Sequence, residues 1–217
     1  AALPGLNRPG ILTQDITLNS GLAVRAPSGF CIDTRRTRQS GQGASVLMAS
    51  CANLGGQPSS GALNKALVLL TVVPGTHGDL AQLQQQLREN PTRLGRGPAV
   101  KLHSTETSRV ALYANLTDAN PGGPPATDPR HWKAVTDIRG VAAVVSVFGA
   151  VGGPLTGRAG EQLARDAVQA LRDANSGIEP TGLPAVAVAT QPASSENTPK
   201  GIGARLSGLF RTVDTPS

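Results

Sequence analysis

The chain has 217 residues and a net charge of +6, with hydrophobic residues at 39%, charged residues at 16% and aromatics at only 2%. That length suits one globular domain with tails rather than two full domains. No apolar run approaches the roughly 18 residues of a membrane-spanning helix, and the chain shows no heptad array, collagen period or sustained repeat.

Residues 1–10 are expected as an extended leader. Residues 11–26 hold two short apolar runs around Asn19-Ser20-Gly21, a hairpin signal. Ala26-Pro27-Ser28-Gly29 turns the chain into a strand at Phe30–Asp33. Residues 34–45 are polar and Gly-containing, hence a loop, and Val46–Cys51 is the next strand. After a second loop over 52–62, Ala66–Val73 is a nearly continuous apolar run with β-branched residues. Such a run predicts a central strand covered on both faces.

Pro74-Gly75 ends that strand, and Leu80, Leu83 and Leu87 then repeat with helical spacing. The spacing predicts a helix over 78–89, with Asp79 in its first turn and Pro91 as its stop. Ala99–Glu106 and Arg109–Leu116 form a predicted strand pair, and 118–129 a loop. His131–Arg139 and Val141–Val151 form a predicted hairpin around Gly140. Tyr113 and Trp132 are expected in the core. Gly152-Gly153-Pro154 breaks the last strand. A second helix over 157–174 carries the apolar stripe Leu163, Ala164, Ala167, Val168 and Leu171, and ends near Asn175 and Gly177.

The fold class that follows is α+β: one domain over 11–176, a mainly antiparallel sheet with two helices packed on it. Residues 177–199 then change to a Pro/Ala/Ser/Thr linker. Residues 200–217 form a docking segment, in which Ile202, Leu206, Leu209 and Phe210 fall on one helical face among Lys200, Arg205 and Arg211. So short an amphipathic helix needs a membrane surface, a partner or its own domain to fold on.

The two cysteines, Cys31 and Cys51, lie on neighbouring predicted strands. Their spacing does not fit C-x-x-C redox chemistry, and no further ligands mark a zinc site. An even pair without ligand partners predicts a structural disulfide in an oxidising compartment; two buried free thiols are the alternative. The chain begins with Ala1, which fits a mature exported protein.

The basic excess is mostly arginine, densest at Arg35, Arg36 and Arg38 between the cysteines. A disulfide would present these arginines as a rigid basic tip able to dock acidic lipid or protein. A merely solvated loop is the plainer reading. Five aromatics and no recognisable module argue against nucleic-acid binding.

No nucleophile elbow, H-E-x-x-H or calcium loop occurs, and Gly56–Gly61 lacks the lysine a phosphate loop requires. His77, His103 and His131 are isolated in sequence, as are the carboxylates Glu106, Asp118, Asp128 and Asp137. The sequence therefore implies no catalytic residue, no metal and no cofactor.

The strings Ala26-Pro27-Ser28-Gly29-Phe30-Cys31-Ile32-Asp33 and Ser45-Val46-Leu47-Met48-Ala49-Ser50-Cys51-Ala52 resemble a group of exported alphaproteobacterial proteins of unknown function. The runs His131-Trp132-Lys133-Ala134-Val135 and Ala170-Leu171-Arg172-Asp173-Ala174-Asn175 resemble that group too. The element order over about 11–175 resembles the PsbP/Mog1-like fold. That resemblance implies an accessory, assembly or binding module of a larger complex rather than an enzyme.

The expected function is thus a non-catalytic periplasmic accessory subunit, peripheral to the inner membrane and without a transmembrane helix of its own. It would bind a membrane-protein complex or membrane surface through Arg35, Arg36 and Arg38, through Ile202, Arg205, Leu206, Leu209 and Phe210, or through both. A small-ligand or envelope-binding domain is the alternative, and a hydrolase built on a converging histidine and carboxylate is a third reading.

Overall fold

In the computed structural model, which describes residues 12–55, 61–95, 99–120 and 127–177, the apolar runs are strands and the leucine-periodic segments are helices. In chain order the strands are β1 (Leu12–Thr13), β2 (Asp15–Thr17), β3 (Ala23–Arg25), β4 (Phe30–Asp33), β5 (Arg38–Ser40), β6 (Gly43–Ser50) and β7 (Leu67–Pro74). They continue as β8 (Val100–Thr107), β9 (Leu112–Asp118), β10 (Arg130–Ile138) and β11 (Val141–Phe148). The α-helices are α1 (Cys51–Leu54), α2 (Leu80–Glu89) and α3 (Arg158–Asn175).

One sheet runs β1-β4-β6-β7-β11-β10-β9-β8, with β5 also paired to β6, and every pairing is antiparallel. β2 and β3 form a separate hairpin. The β10–β11 turn places Arg139 at φ 52° and Gly140 at φ 78°, the consecutive left-handed residues that match strand twist in a two-residue hairpin. β11 lies between β7 and β10 and is buried on both faces, as its sequence, apolar except for Ser146, requires.

The two larger helices cover opposite faces. Leu163, Ala164, Ala167, Val168 and Leu171 of α3 pack with Val46, Val68, Leu70, Tyr113, Trp132 and Val145. Leu83 and Leu87 of α2 pack instead with Leu112, Leu116, Val135 and Val144. Asp79 caps α2 by accepting from the Gln82 amide at 2.7 Å. Fold class and helix number therefore follow the sequence reading, with the single-turn α1 in addition.

Several contacts fix α3. Trp132 Nε1 donates to the Gly157 carbonyl at 2.9 Å. Gly160 sits so close that a Cβ there would lie 1.9 Å from the Leu155 carbonyl oxygen, so no larger residue fits. At the far end, the Asn175 side chain donates to the Ala23 carbonyl at 2.7 Å and accepts from the Ala23 amide at 3.1 Å. It thereby joins α3 to the β2–β3 hairpin like one more strand residue. Arg165 bridges Glu161 and Glu106 and lies 4.3 Å over the Tyr113 ring.

Some boundaries differ from expectation. Residues 34–45 are not one loop: a 3-10 turn at Thr34–Arg36 leads into β5, because a sheet edge beside β6 offers backbone partners. Cys51 opens α1 instead of ending a strand. The predicted strand from Arg109 begins only at Leu112, because Ser108 Oγ accepts from the amides of Val110 and Ala111 and holds a turn. The expected leader over 1–10 and docking segment over 200–217, and the linker beyond Gly177, lie outside the described residues.

Candidate functional site

Cys31 and Cys51 are disulfide-bonded with their Cα atoms 4.8 Å apart. The register makes this possible: Cys31 pairs with Ala49 on β6, and Cys51 follows two residues later. The Cys51 amide also donates to the Gly29 carbonyl at 3.0 Å, so α1 is tied to the entrance of β4 twice. In the chain-entropy account, a bridge spanning 20 residues contributes about 3 kcal/mol.

Asp33, at the other end of β4, is 4% exposed although a polar stretch follows it in sequence. Its carboxylate accepts from the Arg35 amide at 3.1 Å, capping the Thr34–Arg36 turn. Arg35 Nε adds a bond at 3.2 Å, and Arg36 Nε lies 3.7 Å from the second oxygen. Burial alone would raise the Asp33 pKa. The hydrogen bonds from Arg35 and the charges of Arg35 and Arg36 outweigh it and hold the carboxyl below its usual value.

The Arg35 and Arg36 side chains nevertheless remain 62% and 68% exposed. Arg38, on β5 opposite Ser45, is exposed too. The three arginines are therefore a basic surface laid along the sheet edge, and not the tip of a free loop as expected. Strand pairing, which the polar composition of 34–45 did not announce, makes the difference. Of the other expected contact residues, Ile202, Arg205, Leu206, Leu209 and Phe210 lie outside the described residues.

The histidines stay apart. His77 lies in the connection from β7 to α2, where its amide donates to Asp137 Oδ1 at 3.0 Å and its Nε2 lies 3.4 Å from the same oxygen. His103 on β8 meets Thr117 Oγ1 at 2.8 Å; burial, with the charges of Arg130 and Lys101, lowers its pKa. His131 on β10 is completely buried, with Nδ1 donating to the Pro129 carbonyl at 2.9 Å. Its Nε2 has no hydrogen-bond partner, and its ring lies 4.9 Å from that of Phe148. Burial first, then the positive charge of Lys133, pushes the His131 pKa down to about 4. Among the described residues no three His, Cys, Asp or Glu side chains gather as a metal site.

A buried polar set around β9 and β10 escaped the sequence reading. Asp118 Oδ1 accepts from the Asn120 amide, and Asp128 holds the Arg130 and Gly152 amides at 2.8 and 2.7 Å. Lys133, only 7% exposed, donates to the Leu94 carbonyl. These groups act as staples between loops and strands. Only the Asp-x-Arg and Asp-x-Asn spacings, which suit an aspartate bonding the amide two residues on, hinted at them.

No protein-family model matches the chain, and no curated protein matches it. Among solved structures, it is similar to the Ran-binding protein Mog1p of Saccharomyces cerevisiae, with a TM-score of 0.41 and 11% identity, covering 76% of this chain and 90% of that chain. A structure of a Mog1 mutant gives the same values. The likeness concerns the fold alone; the chain's own architecture is α+β, a mainly antiparallel sheet with helices packed on it.

Proposed function

We propose that this chain is a non-catalytic accessory or assembly subunit of the periplasm, peripheral to the inner membrane, that docks on a membrane-protein complex. The observation that carries the reading is the basic surface of Arg35, Arg36 and Arg38. Three exposed arginines lie on a sheet edge that a disulfide and the Asp33 carboxylate hold in place. A charged group fixed before the encounter loses less freedom on binding, and same-sign charge on one edge steers an acidic partner toward it. The disulfide supports an oxidising compartment. The resemblance to exported alphaproteobacterial proteins supports the same compartment. The helical spacing of Ile202, Leu206, Leu209 and Phe210 supports a second contact. Among the described residues no helix is long and apolar enough to cross a membrane.

The test is an affinity pull-down from gently solubilised membranes with three baits: the full chain, the chain ending at Pro199, and the full chain carrying Arg35→Gln, Arg36→Gln and Arg38→Gln. The expected result is one defined complex on the full chain and its loss from both variants. If the full chain recovers no membrane complex, the accessory role is wrong.

A further inference from the structure

We infer that the α2 face of the sheet carries a partly open apolar strip on β6 and β7 that receives an acidic amphipathic segment of a partner protein. The inference rests on reading the arginine edge as a docking surface and names what it docks. On β6 and β7 that face presents Leu47, Leu67 and Leu69, all partly exposed. On the opposite face of the same two strands, Val46, Met48, Val68 and Leu70 are each 3% exposed or less. α2 does not reach the strip, because it packs over β8 with its buried leucines on Leu112, Leu116, Val135 and Val144. Leu47 pairs with Leu69, and Leu67 with Ala49, so the leucines form one strip across two strands.

The register also places the charge. Ile32 pairs with Met48, so the next step sets Asp33, with Arg35 and Arg36 on its carboxylate, beside Leu47. Arg38 pairs with Ser45, two residues before Leu47 and therefore on the same face. The strip thus has an apolar floor and one cationic rim. A segment with leucine-like side chains on one side and carboxylates on the other matches both.

The other occupants fit less well. The chain's own C-terminal segment carries Lys200, Arg205 and Arg211 and would meet like charge. A bilayer needs apolar side chains that protrude. Here they belong to paired strands of the sheet and are only partly exposed.

The probe is an amphipathic helical peptide of about 18 residues built from Leu and Glu, compared with the same peptide carrying Lys for Glu. Binding is read by fluorescence polarisation on the full chain, and its location by leucine methyl NMR. The Glu peptide is expected to shift the methyls of Leu47, Leu67 and Leu69 and to bind at least about tenfold more tightly than the Lys peptide. Arg35→Gln, Arg36→Gln and Arg38→Gln together should remove that preference. Because the buried Asp33 carboxylate loses two charged partners in this variant, its fold is checked by far-UV circular dichroism. Arg38→Gln alone, which leaves Asp33 paired, should reduce the preference by itself.

Equal binding of the two peptides, or shifts confined to other leucines, overturns the inference. Two further outcomes overturn it in favour of another occupant. One is a change in the three methyls when the chain is cut after Pro199, which assigns the strip to the chain's own segment. The other is movement of the same methyls on adding phosphatidylglycerol/phosphatidylethanolamine vesicles, which assigns it to lipid. Since no membrane complex takes part, a failed pull-down and a failed peptide titration are separate results.

Discussion

The two faces of the sheet are finished differently. α3 runs 18 residues and buries seven of them, including Leu163, Ala164, Ala167, Val168 and Leu171. α2 runs ten residues and buries two. The α3 face is closed by apolar packing and by polar clamps at both helix ends, at Trp132 and Asn175. The α2 face is apolar under its helix, polar at Lys133 and His131, and only partly covered on β6 and β7. The α3 face accordingly carries the more complete packing, while the α2 face leaves Leu47, Leu67 and Leu69 partly exposed.

That contrast can be broken by mutation. Trp132→Ala on the α3 face removes a large ring and the bond to Gly157, and should cost about 3–5 kcal/mol in urea unfolding. A loss under about 1 kcal/mol would mean that α3 is not the main clamp. Cys31→Ser with Cys51→Ser opens the bridge on the α2 side. The expected loss is about 3 kcal/mol, with the sheet retained in far-UV circular dichroism. Collapse of the whole fold instead would make the arginine edge part of the structural core.

His131 sharpens the comparison through pH. Its folded pKa of about 4 lies below the ordinary 6.5, so the unfolded chain takes the proton first as pH falls. The stability linked to neutral His131 is complete above pH 6.5 and is lost between there and about pH 4, to a limit of about 3 kcal/mol. Urea midpoints at pH 7 and pH 4.5 measure the loss, and His131→Leu should flatten that dependence. An unchanged slope in the variant would place the titration elsewhere. The smallest effect is expected from Leu69→Ser on the partly open strip: about 1–2 kcal/mol, against about 3–5 kcal/mol for Trp132→Ala. Comparable losses would show that the strip is core and not surface.

Both main helices were legible in sequence, because an apolar stripe of period 3.6 has few other solutions. Leu80, Leu83 and Leu87 marked α2, whose N-cap is Asp79, a residue expected inside its first turn. The β10–β11 hairpin was legible from two apolar runs meeting at Arg139-Gly140. The disulfide was legible as a pairing of two cysteines on adjacent strands. Strand β5 was not, since Arg38–Ser40 is polar and exposed and owes its conformation to the β6 edge. Residues 34–45 between the cysteines therefore read as a loop with a basic tip, and proved to hold a 3-10 turn and an edge strand with a basic rim.

The sequence by itself determined what depends on neighbours along the chain: strand and helix periods, caps, turns and the charge of the 35–38 cluster. The tertiary structure decided which faces those elements share. Asp33 beneath two arginines, Asn175 joined to Ala23 across 152 positions, and three leucines left half-open beside the arginines all depend on register between distant strands. Register is fixed by burying one whole face of a sheet at once, a condition on many residues together that no single segment carries.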